Sequence, residues 1–390
     1  MDANRLSAMP ENPHVTFIHS LFRSGSTYMF HAVRRANTHV CFQEALHELV
    51  AINADNPSAL IANRNTHEDA KYRHPVLSAP YYAELVRAWP AWQGKISMDN
   101  IYKEYFRLPG QSCGQEYWRS LAKSYTKPVL FQETRTAGRI GSLKSHFKDS
   151  FSLYLARCPR DQWLSYKIEP YFDSTIMTIL DSDERPASCV LVISSLGLDD
   201  FFEWAPKNTL DKLSYYRNSP IEASASYLLF FTVWALGALE AIEHADEIML
   251  MNRINHSNEY REEVVDTLAR NGINIVLDDF SLPASIYSSS DSRLFEDAEE
   301  RVYQILLRSG WSQCHIEKIK EMISSLTLSQ SEAFNLLATG CLPVKVILDS
   351  ASRDRETMLS ALGDLASCRQ KMQEIRNRIL DLRGPREVNF

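Results

Sequence analysis

No C-x-x-C pair occurs anywhere in this sequence. Its seven cysteines, Cys41, Cys113, Cys158, Cys189, Cys314, Cys341 and Cys368, are scattered and odd in number. That argues against a disulfide framework or a zinc site, and points to reduced thiols in a cytoplasmic setting. The chain also lacks an apolar run of membrane-spanning length. The longest candidate, Tyr227 to Ala241, is too short for a bilayer and reads as a buried helix. The opening MDANRLSAMPENPH is polar and carries no apolar signal segment. Excess positive charge is missing as well: the formal net charge is −7, which argues against a dedicated nucleic-acid binder and makes any cationic site a local one. Hydrophobic content is not short. At 390 residues, 45% hydrophobic and 23% charged, the chain is an ordinary globular sequence able to bury one large core or two modest ones.

The most informative stretch is VTFIHSLFRSGSTYMFHAVRR, residues 15 to 35. Val15 to Ile18 has the β-branched and aromatic content of a buried strand, and Thr27 to Arg35 has helix-forming composition with neither Gly nor Pro. A tight Ser/Gly loop lies between them. Backbone N–H groups at such a helix start have no partner within the helix, and with the macrodipole they favour an anion. Gly25 permits close backbone approach, Arg23 adds a planar cationic fork, and Ser24, Ser26 and Thr27 supply hydroxyl donors. The loop suits phosphate or sulfate.

Further along, strands and helices alternate. Strands are expected at Pro128 to Phe131, Phe151 to Ala156, Glu247 to Met251 and Ile273 to Leu277. Helices are expected near Gly138 to Phe147, from about Arg160, from Ile221 to His244, and from Glu259 to Asn271 with Gly272 as its stop. Residues 44–125 read as a mostly helical, aromatic-rich insertion, and residues 170–218 as loops and short helices. This order predicts an α/β fold in three layers, with ligands at the carboxyl ends of a central parallel sheet. The α/β domain is placed at residues 1–290 and a helical C-terminal region at 291–390.

A second anion site is suggested by FSLYLARCPRDQWLSYK. It sets Arg157 at the exit of a buried strand and Ser165 on the helix that follows. Two anion sites at one sheet edge imply a doubly phosphorylated ligand.

FRSGST at residues 22–27 and Leu155 to Tyr166 together resemble, in order and spacing, the paired motifs of the sulfotransferases that use 3′-phosphoadenosine 5′-phosphosulfate. The resemblance covers roughly residues 13 to 280, and Cys158 departs from the Asn or Asp usual there. It implies the P-loop-like sulfotransferase fold. It also implies that Arg23, Ser24, Gly25, Ser26 and Thr27 hold the 5′-phosphosulfate, that Arg157 and Ser165 hold the 3′-phosphate, and that adenosine 3′,5′-bisphosphate is the product, with no metal. A kinase-type P-loop fits less well, because Ser20 and Ser26 stand where the first glycine and the lysine of G-x-x-x-x-G-K-[ST] belong.

Sulfuryl transfer needs a base for the acceptor's proton and a cation at the transferring group. The resemblance assigns the second role to Arg23 and makes Glu44 the first choice of base, with Glu133, at the end of the second strand, as rival and His47 behind both. A solvated helix-start carboxylate is the plainer reading of Glu44, and a partner for Arg135 or Arg139 that of Glu133. Tyr81, Tyr82, Trp89, Trp92, Tyr102, Tyr105, Phe106, Tyr117 and Trp118 either stack on an acceptor or pack helices together. A saccharide hydroxyl is the acceptor expected. A non-catalytic nucleotide-binding or scaffold protein with the same fold, assembling through its C-terminal helices, is the alternative from a different class.

Toward the C-terminus, Met358, Leu365, Met372 and Ile379 fall at a and Ala361, Cys368, Ile375 and Leu382 at d of a heptad pattern. It predicts a coiled coil over about 351–383 and a homodimer, or a hairpin with helices near Ile316 to Leu326 and Ser331 to Ala338.

Overall fold

The computed structural model describes residues 14–62, 80–167, 171–282 and 289–327. Within them, five parallel strands form one sheet: β1 (Val15–Ser20), β2 (Val40–Gln43), β3 (Val129–Glu133), β4 (Phe151–Ala156) and β5 (Glu247–Leu250). Their order is β2-β3-β1-β4-β5. Central strands of a parallel sheet are covered on both faces, which is why β1, β3 and β4 are buried along their whole length.

Alternation along each strand feeds two cores. Phe17, Phe42, Phe131 and Tyr154 enter one, where the long helix Ala223–His244 contributes Leu228, Phe231, Trp234 and Leu239. Ile18, Cys41, Leu130, Leu153 and Leu155 enter the other, met by Met29, Phe30 and Val33 of the first helix Ser26–Ala36 and by Val264 and Leu268 of helix Asn258–Arg270. The fold is α/β with helices on both faces of a parallel sheet.

Strand order creates a crevice. The helix leaving β1 packs on the second face, while helix Pro159–Tyr166, leaving the adjacent β4, packs Trp163 and Tyr166 into the first. Where neighbouring connections depart to opposite faces, the carboxyl ends of the strands open a ligand site.

One strand was not expected and one expected strand is corrected. Val40–Gln43, to which the sequence reading assigned no element, is an edge strand paired with β3. Ile273 to Leu277 is not a strand: Ile273, Ile275 and Leu277 are buried and Val276 is 64% exposed, so its period-2 pattern packs on the second core without joining the ladder. Gly272 does stop its helix, with φ 77° and the paired bonds Gly272 N–H to Ala269 O and Ile273 N–H to Leu268 O of a Schellman motif. The segment after 170 contains helices Tyr171–Leu180, Ala187–Ser195, Asp199–Glu203 and Thr209–Arg217.

The apolar stretch expected to be too short for a bilayer is longer than the sequence reading allowed: its helix spans 22 residues with mean hydropathy 1.6, enough by length and composition to cross a membrane, yet 83% of its most apolar window is buried within the fold, as a core helix is. The chain divides into two compact units, residues 1–332 and 333–390. The expected boundary after 290 falls inside the first, because helix Ser289–Arg308 and helix Gln313–Leu326 pack on the long helix. The expected helix Ser331 to Ala338 and the heptad segment 351–383 lie outside the described residues.

Candidate active site

The loop between β1 and the first helix has a backbone that few sequences adopt. Arg23 and Gly25 have φ of 65° and 97°, on either side of Ser24. Alternating handedness of this kind turns consecutive N–H groups toward one side and forms a concave anion site. Gly25 is the N-cap of Ser26–Ala36, no side chain caps that helix, and its first turn carries no acidic residue. A Cβ on Gly25 would lie 3.1 Å from Met251 Cε and 3.3 Å from Leu282 Cδ1, so only glycine fits without displacing them. The Ser24 hydroxyl is fully buried and makes no hydrogen bond with the described residues. Beside the loop stand the rings of Tyr28 and Phe280, centroids 5.0 Å apart.

The structure brings both sequence motifs to this crevice. Arg23 Nε donates to Ser165 Oγ at 3.2 Å, and an Arg157 guanidinium nitrogen donates to the Arg23 carbonyl at 2.7 Å. Arg157 is 4% exposed, and burial lowers its pKa against the pull of Asp161 and Cys158. An anion nearby would offset that penalty. The surrounding backbone is pinned: Trp234 Nε1 donates to the Arg157 carbonyl, Cys158 N–H to Asn252 Oδ1, Asn252 Nδ2 to Asp161 Oδ2, and Gln162 Nε2 to the Phe22 carbonyl. Arg160 forms a bidentate pair with buried Glu299 at 2.8 and 2.7 Å, a structural use that keeps it out of the anion site.

A second cluster lies at the carboxyl ends of β2 and β3. Glu44 follows β2 with φ 41°, its N–H bonded to the Gln132 carbonyl at 2.7 Å. Its carboxylate is 19% exposed and lies 3.2 Å from Arg135. Glu133 is 1% exposed, and its two oxygens accept the N–H groups of Ala45 at 2.6 Å and Leu46 at 3.3 Å. Glu133 therefore clamps the turn that carries Glu44. Burial, reinforced by the charge of Glu44, pushes its pKa up to about 8 in spite of those donors. His47 caps helix Glu48–Ile52, its Nδ1 accepting Leu49 N–H, and its Nε2 points toward Glu44; burial lowers its pKa against the charge of Glu48.

Arg135 and Arg139 do not pair with Glu133. Arg139 is spent on the carbonyls of Asn100, Ile101 and Arg135, and Arg135 on the carboxylates of Glu48 and Glu44. Burial opposes ionisation of Glu48, yet Arg135 and His47 outweigh it and hold its pKa below the ordinary carboxylate value. Tyr102 also donates its hydroxyl to Glu48. Of the aromatic residues between 81 and 118, Trp92, Tyr102, Tyr105, Phe106, Tyr117 and Trp118 are core, while Tyr82 and Trp89 keep partly exposed faces. Tyr82 and Tyr171 feel the charge of Glu44.

Sequence reasoning missed Glu48, Arg135, Asn252, Gln162 and Tyr171. The signal for Arg135 was its place two residues past a buried strand end; the others depend on contacts between distant segments. Among the described residues no cluster of His, Cys, Asp and Glu is arranged to hold a metal ion. No known protein-family model matches the sequence, and no curated protein sequence does.

Proposed function

We propose that this chain is a sulfotransferase with the P-loop-like sulfotransferase fold, moving SO₃ from 3′-phosphoadenosine 5′-phosphosulfate to a hydroxyl acceptor. The observation that carries the reading is the convergence of Arg23, Arg157 and Ser165 on an uncapped helix N-terminus in the β1/β4 crevice. Two cationic forks at one helix start suit a ligand with separate 5′ and 3′ anionic groups. The rings of Tyr28 and Phe280 offer its planar base a surface.

In the reaction, Glu44 takes the acceptor's proton as the acceptor oxygen attacks sulfur. The bond from sulfur to the bridging oxygen breaks, and Arg23 and the loop N–H groups neutralise the charge arriving on the 5′-phosphate. Adenosine 3′,5′-bisphosphate leaves. Glu44 is the favoured base over Glu133 because its carboxylate is partly exposed while Glu133 is committed to Ala45 and Leu46. Tyr82 and Tyr171, whose hydroxyls feel the charge of Glu44, offer aromatic surface for a sugar acceptor.

Calorimetric titration with adenosine 3′,5′-bisphosphate, with ADP and ATP plus Mg²⁺ as controls, tests the donor site. The bisphosphate is expected to bind preferentially. Arg157→Ala is expected to weaken it by about 1.5 to 3 kcal/mol while changing ADP affinity little. Preference for ATP with Mg²⁺ would replace this reading with a kinase, and absence of binding would favour the scaffold.

A further inference from the structure

One buried guanidinium serves two carboxylates of different exposure. Arg135 is 1% exposed and grips Glu48 through Nε and a terminal nitrogen at 3.1, 2.8 and 2.6 Å, while its other terminal nitrogen reaches Glu44 Oε2 at 3.2 Å and Thr134 Oγ1 at 3.0 Å. The Glu48 side chain is 10% exposed and the Glu44 side chain 19%. A buried arginine needs a matching charge. If Glu44 alone supplied it, Glu44 would be held as the anion of a tight ion pair and would be a poor proton acceptor.

We infer that Arg135 is a positioning residue for Glu44 and that Glu48 is its resident counter-charge, so that Glu44 is oriented by the guanidinium without being consumed by it. The fold divides the two roles by placement. Glu48 sits on a helix capped by His47 and is further fixed by Tyr102, which makes it the permanent partner. Glu44, on a positive-φ turn clamped by Glu133, presents its carboxylate to Arg135 from the partly exposed side. The groups facing Glu44 are Arg135, His47, Glu48, Glu133, Tyr82 and Tyr171. The catalytic meaning of this arrangement rests on the reading of Glu44 as the base, whereas the coupling itself does not.

The test needs no acceptor. The full chain is treated with a water-soluble carbodiimide and glycinamide across a pH series, and label at residues 44 and 48 is read by peptide mass spectrometry. The reagent consumes the protonated carboxyl, so labelling follows protonation. Wild type is expected to label at Glu44 and to protect Glu48. Glu48→Gln leaves the charge of Arg135 to Glu44 alone, and the midpoint of Glu44 labelling is expected to fall by about one pH unit, roughly tenfold slower label at fixed pH. Arg135→Gln is expected to move the midpoint the other way, and Arg135→Lys to restore most of the shift. Should Arg135→Gln fail to fold, Glu48→Gln carries the test alone, since it keeps size and shape. An unchanged Glu44 midpoint in Glu48→Gln, or equal labelling of both residues in folded wild type, would overturn the inference. Bisphosphate titration of the same wild-type protein is run in parallel, and absence of binding there would count against the sulfotransfer reading while leaving the labelling result standing.

Discussion

Gly25 shows what a single position contributes. It has φ 97° and Met251 Cε within 3.1 Å of where a Cβ would sit. Gly25→Ala is expected to cost about 1 to 2 kcal/mol from the left-handed backbone alone, and to weaken bisphosphate binding because the loop must shift. Thermal melts and calorimetry together check it, and a variant with wild-type melting and binding would deny the loop its strict geometry. Glu133 makes a different prediction. Its folded-state pKa of about 8 lies above the ordinary 4.5, so the folded chain holds that proton more tightly than the unfolded one. The associated stability is complete below the unfolded value and is lost as pH rises through the folded one. Glu240, pushed to about 7 by burial, acts in the same direction. Melting temperature is expected to decline from pH 5 to 8.5 in wild type, and to decline less in Glu133→Gln. Parallel profiles would show that Glu133 does not titrate in that window.

At the scale of elements, the helix that follows β4 is held by a helix far along the chain. Glu299 on helix Ser289–Arg308 is 5% exposed and pairs with Arg160 of helix Pro159–Tyr166, and Tyr227 of the long helix donates to the same carboxylate at 2.6 Å. Glu299→Ala would leave the largely buried Arg160, 12% exposed, with its main counter-charge removed, a change that typically costs about 3 to 5 kcal/mol. Urea unfolding measures this, and a loss below about 1 kcal/mol would mean that the pair is solvated in the folded state. The same helix explains a limit of sequence reading. Arg160 sits three residues past Arg157 and looks equally suited to a phosphate; only the position of Glu299, 139 residues away, assigns it to packing.

On the scale of the whole chain, the sheet, both hydrophobic cores and every described site residue fall within the first compact unit, residues 1–332. A chain ended after residue 332 is therefore expected to unfold cooperatively and, on the proposed function, to bind the bisphosphate with the full chain's affinity. If the heptad pattern at 351–383 drives assembly, sedimentation should find a dimer for the full chain and a monomer for the shortened one. Loss of folding on truncation would show that the first unit depends on the second.

Much of the fold was legible because its signals are local. The β1 loop announces itself through strand composition, a glycine and hydroxyls before a helix. Phe151 to Ala156 reads as a buried strand from six consecutive residues, and Gly272 marks a helix end by the left-handed backbone it permits. These properties follow from sterics and hydrophobic pattern within one turn or one strand. The tertiary structure alone decided what depends on who lies opposite. It paired β2 as an edge strand, left the alternating Ile273 to Leu277 outside the ladder, turned Glu133 into a clamp for the Glu44 turn, and gave Arg135 to Glu48 and Glu44 rather than to its near neighbour. A side chain's partner, burial and charge state are set by contacts across the fold, and no local pattern encodes which distant segment will supply them.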